Sequence, residues 1–338
     1  MEFVFHPIRR KFGVTGGLAV LLWVSFLLNV VLLSWKLKEQ SSDLALSVNN
    51  EITFSRMIKD GGPCSTKSSN AARSSIRTGN SSTVHWDIVA DMENCTATTV
   101  PSDLFVPIFI LTRDRVQSLQ EALDSYERTL SSPHEIVILD HNSDYPPMLK
   151  FLQSLRDERR ITVHTLHEPV WDDALAHADR IMQQYLQERR DVEYYVMTDP
   201  DVALERTHSD ILLFLAALLK SCPRVNVVGP HLQISDIPDH YQGRYRGNSV
   251  YEWESQFWRT VPFIATWRGA GYHFAEQLID TTFAMRRRSQ RFARITCPCL
   301  RTYAPYAAVH LDWYTNTTDL PPDKRYYLNR AHGGVNNW

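Results

Sequence analysis

The chain has 338 residues, 36 of them basic and 38 acidic, which gives a formal net charge of −2. Binding along a phosphate backbone needs a clear basic excess, so this balance excludes a protein that acts mainly by wrapping nucleic acid. The five cysteines are too few to build a disulfide scaffold, and the 43 % of hydrophobic residues must therefore supply the core. We expect one large globular domain or two small ones.

The start of the chain predicts a membrane anchor. Residues 1–11 end in three basic side chains, and the span Phe12–Trp35 that follows is uncharged and rich in Leu and Val. A helix of that length exceeds the hydrocarbon thickness of a bilayer, and the basic flank favours a cytoplasmic N-terminus. The alternative is a cleaved signal peptide, but the apolar stretch is longer than a usual signal core and no A-x-A cleavage site follows it.

Residues 36–104 predict a flexible stem on the luminal side of the membrane. Within this range, the stretch from Ser65 to Thr83 is rich in Ser and Thr. Its few apolar side chains cannot offset the entropy lost on ordering, so we expect no packed structure there.

The sequons for N-glycosylation also favour a luminal location. They begin at Asn80, Asn94 and Asn316. A short tail, one anchor, a stem and a large domain over residues 105–338 form the layout of a single-pass type II membrane enzyme of the Golgi or endoplasmic reticulum. The same layout would suit a receptor.

After the stem, short β-rich runs alternate with segments of helical period. This alternation predicts an α/β fold with a mostly parallel, Rossmann-like sheet and helices on both faces. Sheets of this kind bind ligands at the carboxyl ends of their strands. The predicted strands are Val106–Thr112, Glu135–Asp140, Ile161–Thr165, Glu193–Thr198 and Val225–Gly229.

The fourth of these strands ends in Asp199-Pro200-Asp201. Two carboxylates one residue apart at a strand end suit a hard divalent cation such as Mn²⁺ or Mg²⁺. A cation held in this way can neutralise the charge on a departing diphosphate. The alternative is a turn that caps a helix starting near Thr207.

The order of these motifs resembles that of nucleotide-sugar-dependent glycosyltransferases of the GT-A fold. The resemblance runs from Val106 to about His310, and it is carried by the runs Phe109–Arg115, Glu135–Ser143 and Asp199–Asp201. It implies that the first two loops bind the donor nucleoside and that Asp201 is the principal metal ligand. The residues implicated in donor binding are Thr112, Arg113, Asp140, Asn142 and Asp199, and those implicated in metal binding are Asp199, Asp201 and His310.

The family pattern also leads us to expect an acidic residue near the reacting sugar. Asp280 is the carboxylate of the run Ile279–Arg286, but the usual Glu-Asp pair is missing. Asp280 is therefore our candidate catalytic residue, either as the base of an inverting enzyme or as a charge stabiliser in a retaining one. A strand-end carboxylate without a catalytic role is the third reading, and Glu276 and Asp312 are spare candidates.

Two further groups have an ordinary reading beside a functional one. The aromatic segment from Tyr251 to Trp267 suits an acceptor glycan, although core packing is the commoner use of such residues. Arg286, Arg287 and Arg288 could approach a diphosphate, but a solvated strand end is our preferred interpretation. For His310, late in the chain, a hydrogen-bonded structural histidine is the default interpretation, and a metal ligand is the functional one.

The sequence thus predicts a metal-dependent glycosyltransferase that binds Mn²⁺ or Mg²⁺, a nucleotide-sugar donor and a glycan, protein or lipid acceptor. The alternative is a membrane-tethered lectin or interaction protein on a degenerate transferase fold. The intact Asp199–Asp201 triplet argues against degeneration, and the missing acidic pair argues for it.

Overall fold

A computed structural model describes residues 83–87, 98–158, 161–167, 171–245, 247–258, 262–294, 296 and 298–330. The predicted tail, the predicted anchor Phe12–Trp35 and most of the predicted stem lie outside these ranges. Within them, no helix combines the length and the hydrophobicity needed to cross a bilayer.

One large sheet forms the centre of the described fold. Its strands follow the order β2-β1-β11-β12-β14-β8-β13-β6-β3-β4-β5, with β7 paired to β14. A separate hairpin consists of β9 and β10. The strands are β1 (Thr83–Asp87), β2 (Thr98–Thr99), β3 (Val106–Thr112), β4 (His134–Asp140), β5 (Thr162–Thr165), β6 (Tyr194–Thr198), β7 (Val202–Ala203), β8 (Val227–Leu232), β9 (Arg244–Tyr245), β10 (Asn248–Ser249), β11 (Phe263–Trp267), β12 (Ala270–Glu276), β13 (Ala284–Arg287) and β14 (Cys299–His310).

The helices connect the strands and cover the sheet. They are α1 (Val116–Thr129), α2 (Pro146–Glu158), α3 (Trp171–Glu188), α4 (Ile211–Ser221), α5 (Val250–Trp258) and α6 (Pro322–Arg330), with a short 3₁₀ helix at Leu311–Tyr314. Every residue of α4 except Lys220 is buried, which explains why this helix is apolar on all sides.

The first half of the sheet is parallel, as the sequence predicts. Strands β5, β4, β3 and β6 lie side by side and point the same way. All seven residues of β3 are buried, and alternate side chains enter different core clusters: Ile108 belongs to the cluster that contains Leu119 of α1, whereas Phe109 belongs to the cluster that contains Met182 of α3. Helices therefore cover both faces, and the expected layered α/β architecture is confirmed for this half.

The second half of the sheet corrects the expectation of a mostly parallel fold. Strand β13 runs antiparallel between β6 and β8, and β11, β12 and β14 form an antiparallel series. For β11 and β12, the antiparallel pairing follows from the turn between them, in which Arg268 and Gly269 have φ of 50° and 82°. Two residues with positive φ make the tight hairpin that reverses a strand without a crossover helix.

The beginning of the folded domain also differs from the predicted boundary at residue 105. Strands β1 and β2 fall within the range assigned to the stem, yet β1 pairs with β11 in the main sheet. In the register of this pair, Trp86 lies opposite Ala265. The run Thr83–Asp87 is rich in β-branched and aromatic residues, which suits an added strand between β2 and β11. The sheet thus recruits residues that precede residue 105.

Candidate active site

The neighbouring order β6-β3-β4 brings three predicted loops to one edge of the sheet. Thr112 lies opposite Asp140 in the β3–β4 register, and Ile110 lies opposite Thr198 in the β3–β6 register. Because the strands are parallel, their carboxyl ends meet at this edge. The predicted donor loops and the Asp199–Asp201 triplet are therefore adjacent.

The first two loops are joined through Asp114, which the sequence analysis did not single out. Asp114 is buried with φ of 55°, and its Oδ1 accepts hydrogen bonds of 2.8 Å from the amides of Asp144 and Tyr145. The Asp114 amide donates in turn to Ser143 Oγ at 2.8 Å. Positive φ is tolerated by Asp better than by most residues, and here it turns the carboxylate into the neighbouring loop.

The candidate donor residues have distinct surroundings in these loops. Asp140 is buried, which raises its pKa, and it accepts hydrogen bonds from the hydroxyl and the amide of Ser143. The Thr112 hydroxyl is buried with no hydrogen-bond partner among the described residues. Asn142 is exposed with φ of 52°, and the half-exposed Arg113 places its Nε 3.7 Å from Asp114. The two loops thus place acceptor and donor groups at the carboxyl ends of β3 and β4.

Asp199, Asp201 and Asp280 form a carboxylate cluster beside these loops. The Asp199 amide donates to the Thr281 carbonyl at 2.9 Å, and the Thr281 hydroxyl donates to the Asp199 carboxylate. Burial, followed by the negative charges of Asp201 and Asp280, raises the pKa of Asp199 to about 8. The negative charges of Asp201 and Asp280 repel that of Asp199, and a bound cation would relieve this repulsion.

Strand β14 brings His310 to the same cluster. His310 lies opposite Val202 in the β7–β14 register, and the Leu311 amide donates to the Asp201 carbonyl at 2.7 Å. The His310 ring stacks on Trp313 with centroids 4.6 Å apart and planes at 9°. Its Nε2 lies 3.8 Å from Asp201 Oδ1, beyond hydrogen-bond range, and its buried Nδ1 has no hydrogen-bond partner in the described part of the chain.

These side chains fit a divalent cation that shares its coordination with a substrate. No group of three or more His, Cys, Asp or Glu side chains in the described ranges is arranged to enclose a metal. Sites for Mg²⁺, however, commonly use one or two carboxylates and take their other ligands from water and substrate phosphates. Asp201 Oδ1 and His310 Nε2 lie 3.8 Å apart and form no hydrogen bond with each other, so both atoms remain available to the same ion. Asp201 and His310 are therefore the residues that would hold it.

A buried charge cluster lies next to this pair, and the sequence analysis did not find it. Arg115 donates to both carboxylate oxygens of Asp312, and Lys324 Nζ lies 3.0 Å from Asp312 Oδ2. Burial alone would raise the pKa of Asp312, but the two cations outweigh burial and hold this pKa well below its usual range. Asp312 is therefore committed to ion pairs, and its status as a spare catalytic candidate is corrected.

Asp280 occupies an open turn at the edge of the cluster. It follows the buried Ile279 and is itself partly exposed, and its charge acts on Asp199. Phe283, with φ of 52°, ends the turn, and Gly229 of β8 lets the chain pass closely, since a Cβ there would lie 3.1 Å from the Phe283 carbonyl oxygen. Glu276 lies within β12, opposite Leu300.

Two of the three consecutive arginines do not belong to a solvated strand end. Arg286 is 1 % exposed and donates to the carbonyls of Ala284 and Ala293. Arg287 is half-buried and donates to carbonyls at the end of α4. The preferred interpretation is therefore wrong for these two residues, because unpaired helix carbonyls and a neighbouring loop bind their guanidinium groups.

The aromatic segment is divided between the core and the surface. Trp267 is buried and donates to Asp210 at 2.8 Å, and Phe257 is buried under Arg301. Tyr251 is 57 % exposed, so it is the member of this segment most open to an external ligand. Core packing is confirmed for Trp267 and Phe257.

Comparisons with known proteins add likenesses to parts of solved structures. No family model and no curated protein matches the sequence. A mannosyltransferase, PcManGT from Pyrobaculum calidifontis in complex with GDP-Man and Mn²⁺, is similar over 45 % of this chain and 40 % of its own, with 21 % identity and a TM-score of 0.31. S. aureus TarS 1–349 is similar over 55 % of this chain and 47 % of its own, with 14 % identity and a TM-score of 0.32.

GalNAc-T7 with UDP, GalNAc and Mn²⁺ is similar over 41 % of this chain and 25 % of its own, with 16 % identity and a TM-score of 0.31. This chain thus spans less than half the length of each of these three proteins. Because every TM-score is below 0.5, the function proposed below rests on the residues of the site.

Proposed function

We propose that this chain is a metal-dependent glycosyltransferase. It transfers a hexose from a nucleotide-diphosphate sugar to a hydroxyl group of a glycan, protein or lipid. The observation that carries the proposal is the position of the Asp199–Asp201 triplet at the sheet edge where the loops after β3 and β4 end, with the Asp199 amide bound to Thr281, the residue that follows Asp280. One edge then offers a nucleoside site, a cation site and a carboxylate for the reacting sugar.

Each side chain has a role that its surroundings support. Asp201 and His310 would hold a divalent cation, which would supply positive charge against the charge that develops on the departing diphosphate. Asp140, oriented by Ser143, offers acceptor atoms for the edge of a nucleobase. Asp280 is partly exposed beside the cluster, where it acts either as the base of an inverting transfer or as the charge stabiliser of a retaining one.

The proposed setting is the lumen of the Golgi or endoplasmic reticulum, with the chain anchored by Phe12–Trp35. Cys222 is disulfide-bonded, which suits an oxidising compartment, and the sequon residue Asn316 is exposed. Glycosidase treatment of the chain from secretory membranes tests this setting. We expect a mobility shift that is lost when Asn80, Asn94 and Asn316 are all replaced by Gln, and an unshifted wild-type chain would contradict the luminal location.

A donor screen tests the activity itself. The full-length chain in detergent is incubated with UDP- and GDP-sugars, with Mn²⁺ or with a chelator, and nucleotide release and sugar transfer are measured. We expect one donor to be consumed with Mn²⁺ and not with the chelator. A chain that consumes no donor but binds glycans would instead be a membrane-tethered lectin.

A further inference from the structure

The C-terminal helix α6 is joined to the candidate site by buried polar contacts. Lys324 is 2 % exposed and forms an ion pair in which Nζ lies 3.0 Å from Asp312 Oδ2, although this Nζ donates no hydrogen bond of regular geometry among the described residues. One residue earlier, Asp323 accepts a hydrogen bond of 2.9 Å from the Gln117 amide in the first turn of α1. The helix therefore contacts both the segment after β3 and the segment after β14.

These contacts converge on Asp312. Arg115 donates to both of its oxygens, with Nη1 3.0 Å from Oδ2, and Lys324 adds a second cation at the same oxygen. The ring of Tyr327 lies 5.7 Å from the Arg115 guanidinium and supports it from α6. Breaking either of these buried ion pairs would leave charge without full compensation, which costs free energy. The two cations therefore restrain the position of the Asp312 carboxylate.

The segment that Asp312 fixes also carries the candidate cation ligand His310. Leu311, between these two residues, donates its amide to the Asp201 carbonyl at 2.7 Å. The His310 and Asp201 side chains are separated by 3.8 Å. A movement of Asp312 therefore changes the position of His310 relative to Asp201.

We infer that Lys324 is a positioning residue of the cation site. Through Asp312, it fixes the separation between His310 and Asp201 so that both side chains bind one divalent cation. The inference rests on the proposed function, in which these two side chains hold the ion. It assigns α6, which follows the region that resembles glycosyltransferases, to the site.

The test measures Mn²⁺ binding to the full-length chain in detergent, by the electron paramagnetic resonance signal of free Mn²⁺. Lys324→Met keeps the length of the side chain and removes its charge, and we expect a Kd for Mn²⁺ at least about tenfold higher than that of the wild type. Lys324→Arg restores the charge and should return the Kd to within about threefold. Arg325→Met, an exposed neighbour on α6, is the matched control and should leave the Kd unchanged.

A double variant separates positioning from general loss of structure. In a His310→Gln background, Lys324→Met should have little further effect on the Kd, because the ligand that it positions is already gone. An unchanged Kd in folded Lys324→Met, or full additivity with His310→Gln, overturns the inference. If Lys324→Met does not fold, Asp312→Asn tests the same link, and an unchanged Kd in that variant overturns it equally.

The outcome for the inference is distinguishable from that for the proposed function. A wild-type chain that binds no Mn²⁺ but consumes a donor in the chelator overturns the inference and leaves sugar transfer in place. A chain that consumes no donor but loses Mn²⁺ binding through Lys324→Met supports the inference and contradicts the transferase.

Discussion

Asp199 and Asp201 are two positions apart, yet they have different surroundings. The Asp199 carboxylate accepts a hydrogen bond from Thr281, and its amide is bound to the same residue. Asp201 lies beside His310, with its backbone carbonyl bound by Leu311. The side chain of Asp201 is therefore the better placed of the two to exchange its neighbours for a cation.

Asp201→Asn should lower turnover at least about 10²-fold with folding intact, because it keeps the shape and the backbone contact and removes the charge. Initial rates at saturating donor and Mn²⁺, with circular dichroism as the check on folding, measure this effect. Asp191→Asn, an exposed carboxylate that pairs with Arg189, is the control and should keep the wild-type rate. Equal rates for both variants would remove the main support for a metal-dependent transferase.

Asp280→Asn should lower turnover roughly 10²-fold or more if this carboxylate is the general base, whose contribution is typically 10²–10⁴-fold. Donor affinity should change little, because the groups proposed to hold the donor lie in the loops after β3, β4 and β6. Turnover and donor KM are measured on one acceptor, with Glu276→Gln as the comparison. A near-normal rate for Asp280→Asn together with a strongly reduced rate for Glu276→Gln would indicate that Glu276 of β12, and not Asp280, is the base.

Residues at strand ends could be predicted because their signal is local. A buried apolar run followed by Asp places that Asp at the edge of the sheet, and this holds for Asp140 and Asp199. The pairing of Arg115 with Asp312 has no such signal, since its partners are 197 positions apart and both look like solvated charges. Both residues are buried, and their partners Lys324 and Tyr327 come from α6, far along the chain from Arg115.

At the scale of elements, the side chain of Arg287 in β13 caps the C-terminal end of helix α4. Its guanidinium group donates to three carbonyls. That of Leu219 lies in the last turn of the helix, and those of Cys222 and Val225 follow the helix. The final carbonyls of a helix have no partner inside the helix, so a cation at this end stabilises it twice, by hydrogen bonds and by its charge.

Arg287→Met should lower the free energy of unfolding by about 2 kcal/mol, because several hydrogen bonds from a charged donor are lost in a half-buried site. Urea unfolding followed by circular dichroism measures the change. The adjacent Arg288→Met is the control and should stay within about 0.5 kcal/mol of the wild type. Equal losses for the two variants would mean that the cap adds nothing.

The antiparallel elements were harder to predict than the parallel ones. The β11–β12 hairpin turns on Arg268 and Gly269, and Arg is not a residue that usually marks a two-residue turn. Strand β13 has four residues, too few to show a period. The prediction of the parallel strands β3 and β6 is confirmed because every residue in them is buried, and burial on both faces gives a long apolar run in the sequence.

For the molecule as a whole, His231 links β8, α5 and β14 in the core. Its Nε2 lies 2.9 Å from the Phe257 carbonyl and its Nδ1 lies 3.3 Å from the Thr302 carbonyl. Burial, and after it the charge of Arg301, lowers the pKa of His231 to about 3. The folded chain therefore keeps this imidazole neutral under conditions in which the unfolded chain protonates it.

Stability should therefore fall as the pH drops below about 6.5, the pKa of an unperturbed histidine. The unfolded chain binds the extra proton between that pH and about 3, so the free energy of unfolding decreases by up to about 1.4 kcal/mol per pH unit in this window. Urea unfolding at pH 7.5 and pH 5.5 measures the difference. His231→Gln should reduce the difference, and an unchanged difference would assign it to other groups.

The pairing of Arg115 with Asp312 has a consequence for how the molecule acquires its site. Contacts between distant parts of a chain form only after a large loss of chain entropy, so sites built from them mature late in folding. During synthesis Arg115, in the loop that follows β3, emerges long before Asp312 and Lys324. Its guanidinium group can therefore form the buried ion pair only after both of these residues have been added. The parallel strands can assemble earlier, but the geometry that we propose for cation binding forms only after Asp312 and Lys324 have been added to the chain.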